Sequence, residues 1–228
     1  MDILRFALTT GRTALVEWAK RVYDFARTQG GSFGWYAEET LVKDPARLLG
    51  TGRPWRVPSE PCCASDMVEN ALLLAKAGYP ECREHAEKIV RNHLMEKQLV
   101  DTDIIEAEYP DPMPADTQQV TYDNVVGRSR GSWCTCTRPN DRHFEGWGKH
   151  FPDVTARLHP VGCCASTVPL ALYAAWREGV GVGPEPAQEV VEREEVINGE
   201  RYVLSWRGNT VVRIEPPGEK YPMYTGRA

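Results

Sequence analysis

The stretch Val161–Ser166, Val-Gly-Cys-Cys-Ala-Ser, and its partial echo Ser59–Ser65, Ser-Glu-Pro-Cys-Cys-Ala-Ser, together contain four of the seven cysteines of this chain. Neighbouring cysteines do not easily form a disulfide with each other, because the bond prefers Cα atoms about 5.5 Å apart and adjacent residues are held at about 3.8 Å. We therefore expect a metal site, since three thiolates with one carboxylate or imidazole bind zinc tetrahedrally. Glu60, separated from Cys62 by one residue, offers a carboxylate oxygen.

Each cysteine pair is followed by a pattern typical of a helix. After the first pair, Ser65 and Asp66 are suited to an N-cap, and a helix to Gly78 would bury Val68, Leu72 and Ala75. After the second pair, Ser166 or Thr167 can cap a helix that has Pro169 in its first turn and Leu172, Ala175 and Trp176 on its buried face. Both pairs would then lie just before helix N-termini and meet between helices, as in a helical bundle or toroid.

Two further segments predict amphipathic helices. Apolar residues recur every three to four positions between Arg12 and Thr28, and they predict a buried face. That face comprises Leu15, Trp18, Val22 and Phe25. A second helix is predicted from Glu81 to Lys97, and Gly78-Tyr79-Pro80 joins it in a helical hairpin to the helix that follows the first cysteine pair. Its apolar face would contain Cys82, Ala86, Ile89 or Val90, and His93 or Leu94, so we assign Cys82, His85 and His93 to packing or to solvent rather than to a metal.

The composition changes after Gly179. A Gly- and Pro-rich linker precedes three segments rich in β-branched residues, Glu189–Ile197, Arg201–Trp206 and Thr210–Glu215, with turn residues between them. We therefore predict a mainly α chain, with a helical domain over residues 1–180 and an antiparallel β segment over residues 181–228. Three strands are the minimum for independent stability, so we interpret the β segment as the start of a larger sandwich.

The composition of the 228 residues, 42% hydrophobic and 26% charged, is that of a globular domain. A net charge of −5 gives no electrostatic basis for binding nucleic acid. The sequence contains no apolar run of membrane-spanning length and no secretory signal, so we expect a cytoplasmic protein that does not bind membranes. Seven cysteines in such a chain favour reduced thiols or metal thiolates over a disulfide framework.

The segment Glu60–Cys62, Glu-Pro-Cys, followed far downstream by Cys163 and Cys164, resembles the zinc motif of glycoside hydrolase family 127, the β-L-arabinofuranosidases. The resemblance implies one zinc ion held by Glu60, Cys62, Cys163 and Cys164. It also implies a retaining hydrolase in which Cys163 is the nucleophile and a furanoside carbohydrate is the substrate. The general acid/base of the family is a glutamate shortly after a glycine, and here the stretch 34–39, Gly-Trp-Tyr-Ala-Glu-Glu, occupies that place. By resemblance Glu38 is the general acid/base, and Glu39 is the alternative.

The resemblance also implies a toroid of twelve helices, and this chain has room for about half of that number. We therefore expect a fragment covering the later part of the toroid, with the earlier helices absent or encoded separately.

Two irregular regions can provide the substrate surface. Residues 32–59 read as a long loop or lid whose aromatic residues, among them Trp35 and Tyr36, either stack on a sugar or cover the core. Within residues 100–160, His143 and its polar neighbours can bind sugar hydroxyls. Cys134 and Cys136 in the same region are a second metal half-site, competing thiols for the same zinc, or two small buried residues.

Two other classes of protein compete with the hydrolase. The same four ligands could close a zinc site that stabilises a structural or binding module without catalysis. A thiol redox protein is less favoured, because the chain contains no Cys-x-x-Cys motif.

Overall fold

The computed structural model describes residues 2–34, 36, 61–98, 100, 115–118, 121, 123–124, 127–128, 130–133, 162–181, 188–197 and 200–215. Within these ranges the chain forms five α-helices, one π-helix and one three-stranded sheet. The helices are α1 Asp2–Thr10, α2 Thr13–Arg27, α3 Pro61–Lys76, α4 Glu81–Ile89 and α5 Gly162–Arg177, with the π-helix at Val90–Leu94; the strands are β1 Val190–Ile197, β2 Glu200–Arg207 and β3 Thr210–Glu215. The predicted fold class, mainly helical with a small C-terminal antiparallel sheet, is confirmed.

Helix α2 forms where the sequence predicts it, but its buried face is a different one. Trp18 is 43% exposed and Phe25 is 56% exposed, so the prediction that they pack in the core is wrong. The buried side of α2 instead centres on Tyr23, flanked by Ala19 and Ala26 at helical spacing. On this face the Tyr23 hydroxyl contacts His85 Nδ1, so the polar end of the ring has a buried partner.

Helix α1 precedes α2 and was not predicted. Its side chains Leu4 and Ala7 are buried in the helical core, 2% and 0% exposed. Arg5 on α1 forms an ion pair with Glu69 on α3 at 2.8 Å. The first helical pair therefore packs on α3 through α1 as well as α2.

Helices α3 and α5 both begin earlier than predicted. Helix α3 starts at Pro61, a residue favoured in the first turn because it lacks the N–H that has no partner there. Ser65 is consequently not a cap, and its hydroxyl donates instead to the Pro61 carbonyl at 2.8 Å. Helix α5 starts at Gly162, so Pro169 lies inside the helix rather than in its first turn. Both cysteine pairs therefore lie within the first helical turn and not before it.

The buried face of α5 was predicted only in part. Ala175 is 1% exposed and Leu172 packs against the core, but Trp176 is 62% exposed. The side of α5 in the core is formed by Val168, Ala171 and Ala175, and α5 packs against α3. Trp176 is not on that side and is therefore exposed to solvent.

The predicted helical hairpin is present, formed by α3 and α4, but the predicted second helix does not keep the α-helical period throughout. The α-helical hydrogen bonding ends at Ile89, and a π-helix follows in which the Met95 N–H donates to the Val90 carbonyl at 3.0 Å. The predicted packing face is confirmed, with Cys82, Ala86, Ile89 and Leu94 each 0% exposed. The wider turn carries Asn92 to the sheet, where its Oδ1 accepts the Val211 N–H and its Nδ2 donates to the Asn209 carbonyl.

The predicted three-stranded meander is confirmed, with antiparallel pairs in the order β1-β2-β3. Along β2, Tyr202, Leu204 and Trp206 alternate and are buried, as expected for one face of a sheet. The Lys88 ammonium lies 5.4 Å from the centre of the Trp206 ring, and Ser32 donates its backbone N–H to Glu195 on β1. The sheet is thus attached to the outside of α4 and to the end of the first helical pair.

Candidate metal centre

The cysteine cluster depends on α3 and α5 running parallel, side by side. At their N-terminal ends the Cys62 and Cys164 sulfurs are 3.3 Å apart, and at their C-terminal ends Nζ of Lys76, the last residue of α3, lies 2.6 Å from Oε1 of Glu178, which follows α5. Both pairs are 102 positions apart, so the two helices keep one register along their whole length. Their first turns therefore lie at the same level.

Three thiols converge at this point. The Sγ atoms of Cys62, Cys163 and Cys164 all lie within 4.8 Å of one another, and Cys163 Sγ is 3.8 Å from Cys164 Sγ. Cys164 is buried, Cys62 is half-buried and Cys163 is exposed. The Thr167 hydroxyl lies 3.3 Å from Cys62 Sγ and 2.9 Å from the Cys163 carbonyl, and it can donate its one proton to either. The cluster is open to solvent on the Cys163 side.

The spacing of the sulfurs suits a tetrahedral metal ion. Zinc–sulfur bonds of about 2.3 Å place the sulfurs of one tetrahedron about 3.8 Å apart. The observed separations of 3.3 and 3.8 Å, with all three atoms inside 4.8 Å, need only small side-chain rotations to reach that distance. Soft thiolates select zinc or copper(I) over hard cations. The cluster can therefore hold a metal ion of this class through Cys62, Cys163 and Cys164.

The fourth ligand proposed by resemblance, Glu60, lies outside the described residues, so its role stays a prediction. The same applies to Glu38, Glu39, Trp35 and His143, and to the cysteines at 134 and 136.

Cys82 lies outside the cluster, as predicted. It is fully buried on α4, where burial, reinforced by Glu81, raises the pKa of its thiol to about 11. A thiol that stays protonated in the core is neither a good ligand nor a good nucleophile. Its role is packing.

His85 and His93 are also buried, which is the first of the two positions, core or solvent, that the sequence left open for them. Burial, together with Arg27 and Lys88, lowers the pKa of His85 to about 3, and burial with Lys97 lowers the pKa of His93 well below its usual range. Both rings are therefore neutral at physiological pH.

A buried network around His85 was not predicted from the sequence. Its Nδ1 contacts the Tyr23 hydroxyl, and its Nε2 lies 3.1 Å from the Tyr36 hydroxyl. Because a neutral imidazole has one donor and one acceptor nitrogen, one tyrosine donates to the ring and the other accepts from it. Burial raises the pKa of both phenols. No sequence signal could have revealed this network, because its members are 49 and 62 positions from His85.

Tyr36, predicted to line a sugar site, is 4% exposed within this network. The alternative left open by the sequence, that the aromatic residues of this loop cover the core, describes its position. A sugar-binding role for Tyr36 stays a prediction that its burial does not favour.

Comparison of the chain with protein-family models, with curated proteins and with solved structures finds no match. Among the described helices, none is long and apolar enough to cross a membrane. The case for a function therefore depends on the cysteine cluster itself.

Proposed function

We propose that this chain is the zinc-binding part of a retaining glycoside hydrolase similar to family 127, acting on a furanoside such as a β-L-arabinofuranoside. The observation that carries the proposal is the unequal exposure of three convergent thiols. Cys163 is exposed while Cys164 is buried, so one sulfur of the cluster can reach a substrate and another can only bind metal. A site serving structure alone has no need for an accessible ligand.

In the proposed reaction the Cys163 thiolate attacks the anomeric carbon, forming a sulfur–carbon bond as the bond to the leaving oxygen breaks. Glu38 donates a proton to that oxygen and then removes a proton from the incoming water. The water oxygen displaces sulfur from the carbon, which restores the thiolate and retains the configuration. Bound zinc would supply the charge that keeps the thiol ionised at neutral pH, and Glu60, Cys62 and Cys164 would complete its ligand set.

The proposed carbohydrate site draws on segments beyond the described residues. Trp35 would stack on the sugar ring and His143 would bind its hydroxyls. A separately encoded segment would complete the helical toroid around the substrate. Exposed apolar side chains on α2 and α5, such as Phe25 and Trp176, are compatible with further helices packing there, but they do not identify them.

The test uses the full chain, alone and together with the product of the neighbouring reading frame. Zinc content is measured first, and hydrolysis of nitrophenyl β-L-arabinofuranoside is measured next. Cys163→Ser should abolish turnover. Cys63→Ser, which changes a cysteine in the first turn of α3 that is not part of the cluster, should leave turnover nearly unchanged. Turnover by Cys163→Ser near that of the unaltered chain would contradict the nucleophile assignment.

The acid/base assignment needs its own comparison. Glu38→Gln should slow glycosides with poor leaving groups far more than activated ones, because only the former need proton donation. If Glu39→Gln shows this dependence and Glu38→Gln does not, the role belongs to Glu39.

A second candidate function, a zinc-stabilised structural or binding module, is favoured by one observation. The cluster joins two helices whose contacting cysteines are 102 positions apart, as a structural clamp would. If the chain binds one zinc ion but hydrolyses no furanoside, even together with the neighbouring gene product, the assignment as a structural or binding module replaces the assignment as a hydrolase.

A further inference from the structure

The three thiols of the cluster differ in their access to solvent and in the partners they can reach. Cys163 is exposed and is the thiol that an oxidant meets first, while Cys164 is buried. Cys163 and Cys164 are neighbours on one helix, where successive side chains diverge by about 100° and the Cα atoms are too close for an unstrained disulfide. Cys62 lies on α3 and can form a disulfide with either Cys163 or Cys164.

We propose that the cluster is a site of reversible oxidation, in which peroxide reacts at Cys163 and a disulfide between Cys62 and Cys164 is the final product. The inference does not require the hydrolase; it rests on the proposed metal centre only for the protection that zinc would give. The absence of a Cys-x-x-Cys motif is no obstacle, because this pair is formed by two helices and its sulfurs are already 3.3 Å apart.

The chemistry proceeds in three balanced steps. The Cys163 thiol is oxidised by hydrogen peroxide to a sulfenic acid, and the peroxide is reduced to water. The Cys62 thiol attacks the sulfenic sulfur, which forms a Cys62–Cys163 disulfide and releases a second water. The Cys164 thiolate then attacks the Cys62 sulfur, giving the Cys62–Cys164 disulfide and returning Cys163 to the thiol.

The final exchange follows from the geometry. The Cys62 and Cys164 sulfurs, 3.3 Å apart, are closer than the Cys163 and Cys164 sulfurs, which are 3.8 Å apart, and the product moves the bond from the exposed to the buried side of the cluster. The oxidised form has lost two of its three thiolate ligands and can no longer hold the metal. A small thiol reductant reverses the change by the same exchange chemistry.

The test is a mass map of the full chain, freed of metal by a chelator and treated with one equivalent of hydrogen peroxide. Remaining thiols are alkylated and the peptides are analysed without reduction. The expected product links the peptides of Cys62 and Cys164 and leaves Cys163 alkylated. A disulfide that involves Cys63 or Cys82, or over-oxidation of Cys163 with no disulfide, would overturn the proposal.

Three variants test the order of the steps, with Cys63→Ser as the matched control. Cys164→Ser should stop at the Cys62–Cys163 disulfide, and Cys62→Ser should accumulate a Cys163 sulfenic acid that dimedone traps. Cys163→Ser should slow loss of the Cys62 and Cys164 thiols by about tenfold or more, since both are less exposed than Cys163. Unchanged oxidation of Cys163→Ser would overturn the relay. The map of the unaltered chain decides the proposal even if a variant fails to fold.

Zinc separates this proposal from the proposed function. One equivalent of zinc added before the peroxide should slow disulfide formation in the unaltered chain. If the same disulfide forms at the same rate with zinc, the relay stands and the metal centre fails. If zinc binds stoichiometrically but its removal never allows the disulfide to form, the metal centre stands and the relay fails.

Discussion

Replacement of Asn92 tests how the sheet is held to the helices. The Asn92 side chain is 1% exposed; its Oδ1 accepts the Val211 N–H at 2.6 Å, and its Nδ2 donates to the carbonyls of Asn209 and Lys88, both at 2.9 Å. Asn92→Ala removes all three bonds and leaves the Val211 N–H, on a residue that is 0% exposed, without this acceptor.

The expected loss follows from these contacts. An unsatisfied buried donor costs about 1–3 kcal/mol, and the small cavity adds about 1 kcal/mol. We therefore expect Asn92→Ala to lower the free energy of unfolding by about 2–4 kcal/mol. In a chain of this length, that is a fall in Tm of roughly 4–16 °C.

Asn70→Ala is the matched control. Asn70 makes the same bond to the carbonyl four residues earlier, that of Asp66, at 2.8 Å, but it does so on the exposed side of α3 and has no bond to the sheet. Its loss should cost no more than about 0.5 kcal/mol. Denaturant unfolding gives both values, and hydrogen exchange at the Val211 amide should accelerate only in Asn92→Ala. Equal stabilities of the two variants, with unchanged exchange at Val211, would refute the reasoning.

The same unfolding assay tests a tight backbone contact, a buried histidine and the metal. A Cβ on Gly34, where φ is +92°, would lie 2.6 Å from the Ile89 Cα, so Gly34→Ala should lower the free energy of unfolding by about 2–4 kcal/mol. Gly78 has φ +105° but open space around a Cβ, so Gly78→Ala should lower it by only about 1 kcal/mol; equal losses in the two variants would contradict a close contact at Gly34. The folded-state pKa of His85, about 3, is below the unfolded value of about 6.5, so the unfolded chain binds more protons between them. Stability from this group should therefore be complete above pH 6.5 and fall by about 1.4 kcal/mol per pH unit as pH drops, and a slope unchanged in His85→Gln would be inconsistent with this origin. Free zinc at one hundred times its Kd should raise the free energy of unfolding by about 2.7 kcal/mol. The same increase in Cys164→Ser would show that zinc binds at another site.

The fold could be predicted from the sequence where a local pattern determines it. The alternating strands between Val190 and Glu215 and the helical period of α2 are local, and their positions agree with the structure. When a helix has two apolar faces, the local sequence does not determine which of them is buried. On α2 the sequence favoured the larger side chains, Trp18 and Phe25, whereas the structure buries Tyr23, whose hydroxyl contacts His85 on another helix.

The starts of α3 and α5 were misplaced for a related reason. Ser65 and Ser166 have the residue type of an N-cap, but their hydroxyls donate to carbonyls within an existing helix, Ser65 to Pro61 and Ser166 to Cys163. The cysteine pairs are consequently part of the helices. Their convergence was predicted from residue chemistry and a family resemblance, and the local pattern alone could not have supplied it.

The register of α3 against α5 explains why the cluster contains three cysteines rather than four. The two Cys-Cys-Ala-Ser segments are 101 positions apart in sequence, but the helices are aligned at a spacing of 102, which sets Cys62 beside Cys164. One position corresponds to about 100° around a helix, so the two motifs do not face each other symmetrically. Cys62 meets both Cys163 and Cys164, while Cys63 is outside the cluster. A site of four sulfurs would have no free coordination position. The observed offset instead provides three sulfurs, one of them exposed, and leaves the fourth position to another ligand. This asymmetry leaves Cys163 as the exposed sulfur of the cluster.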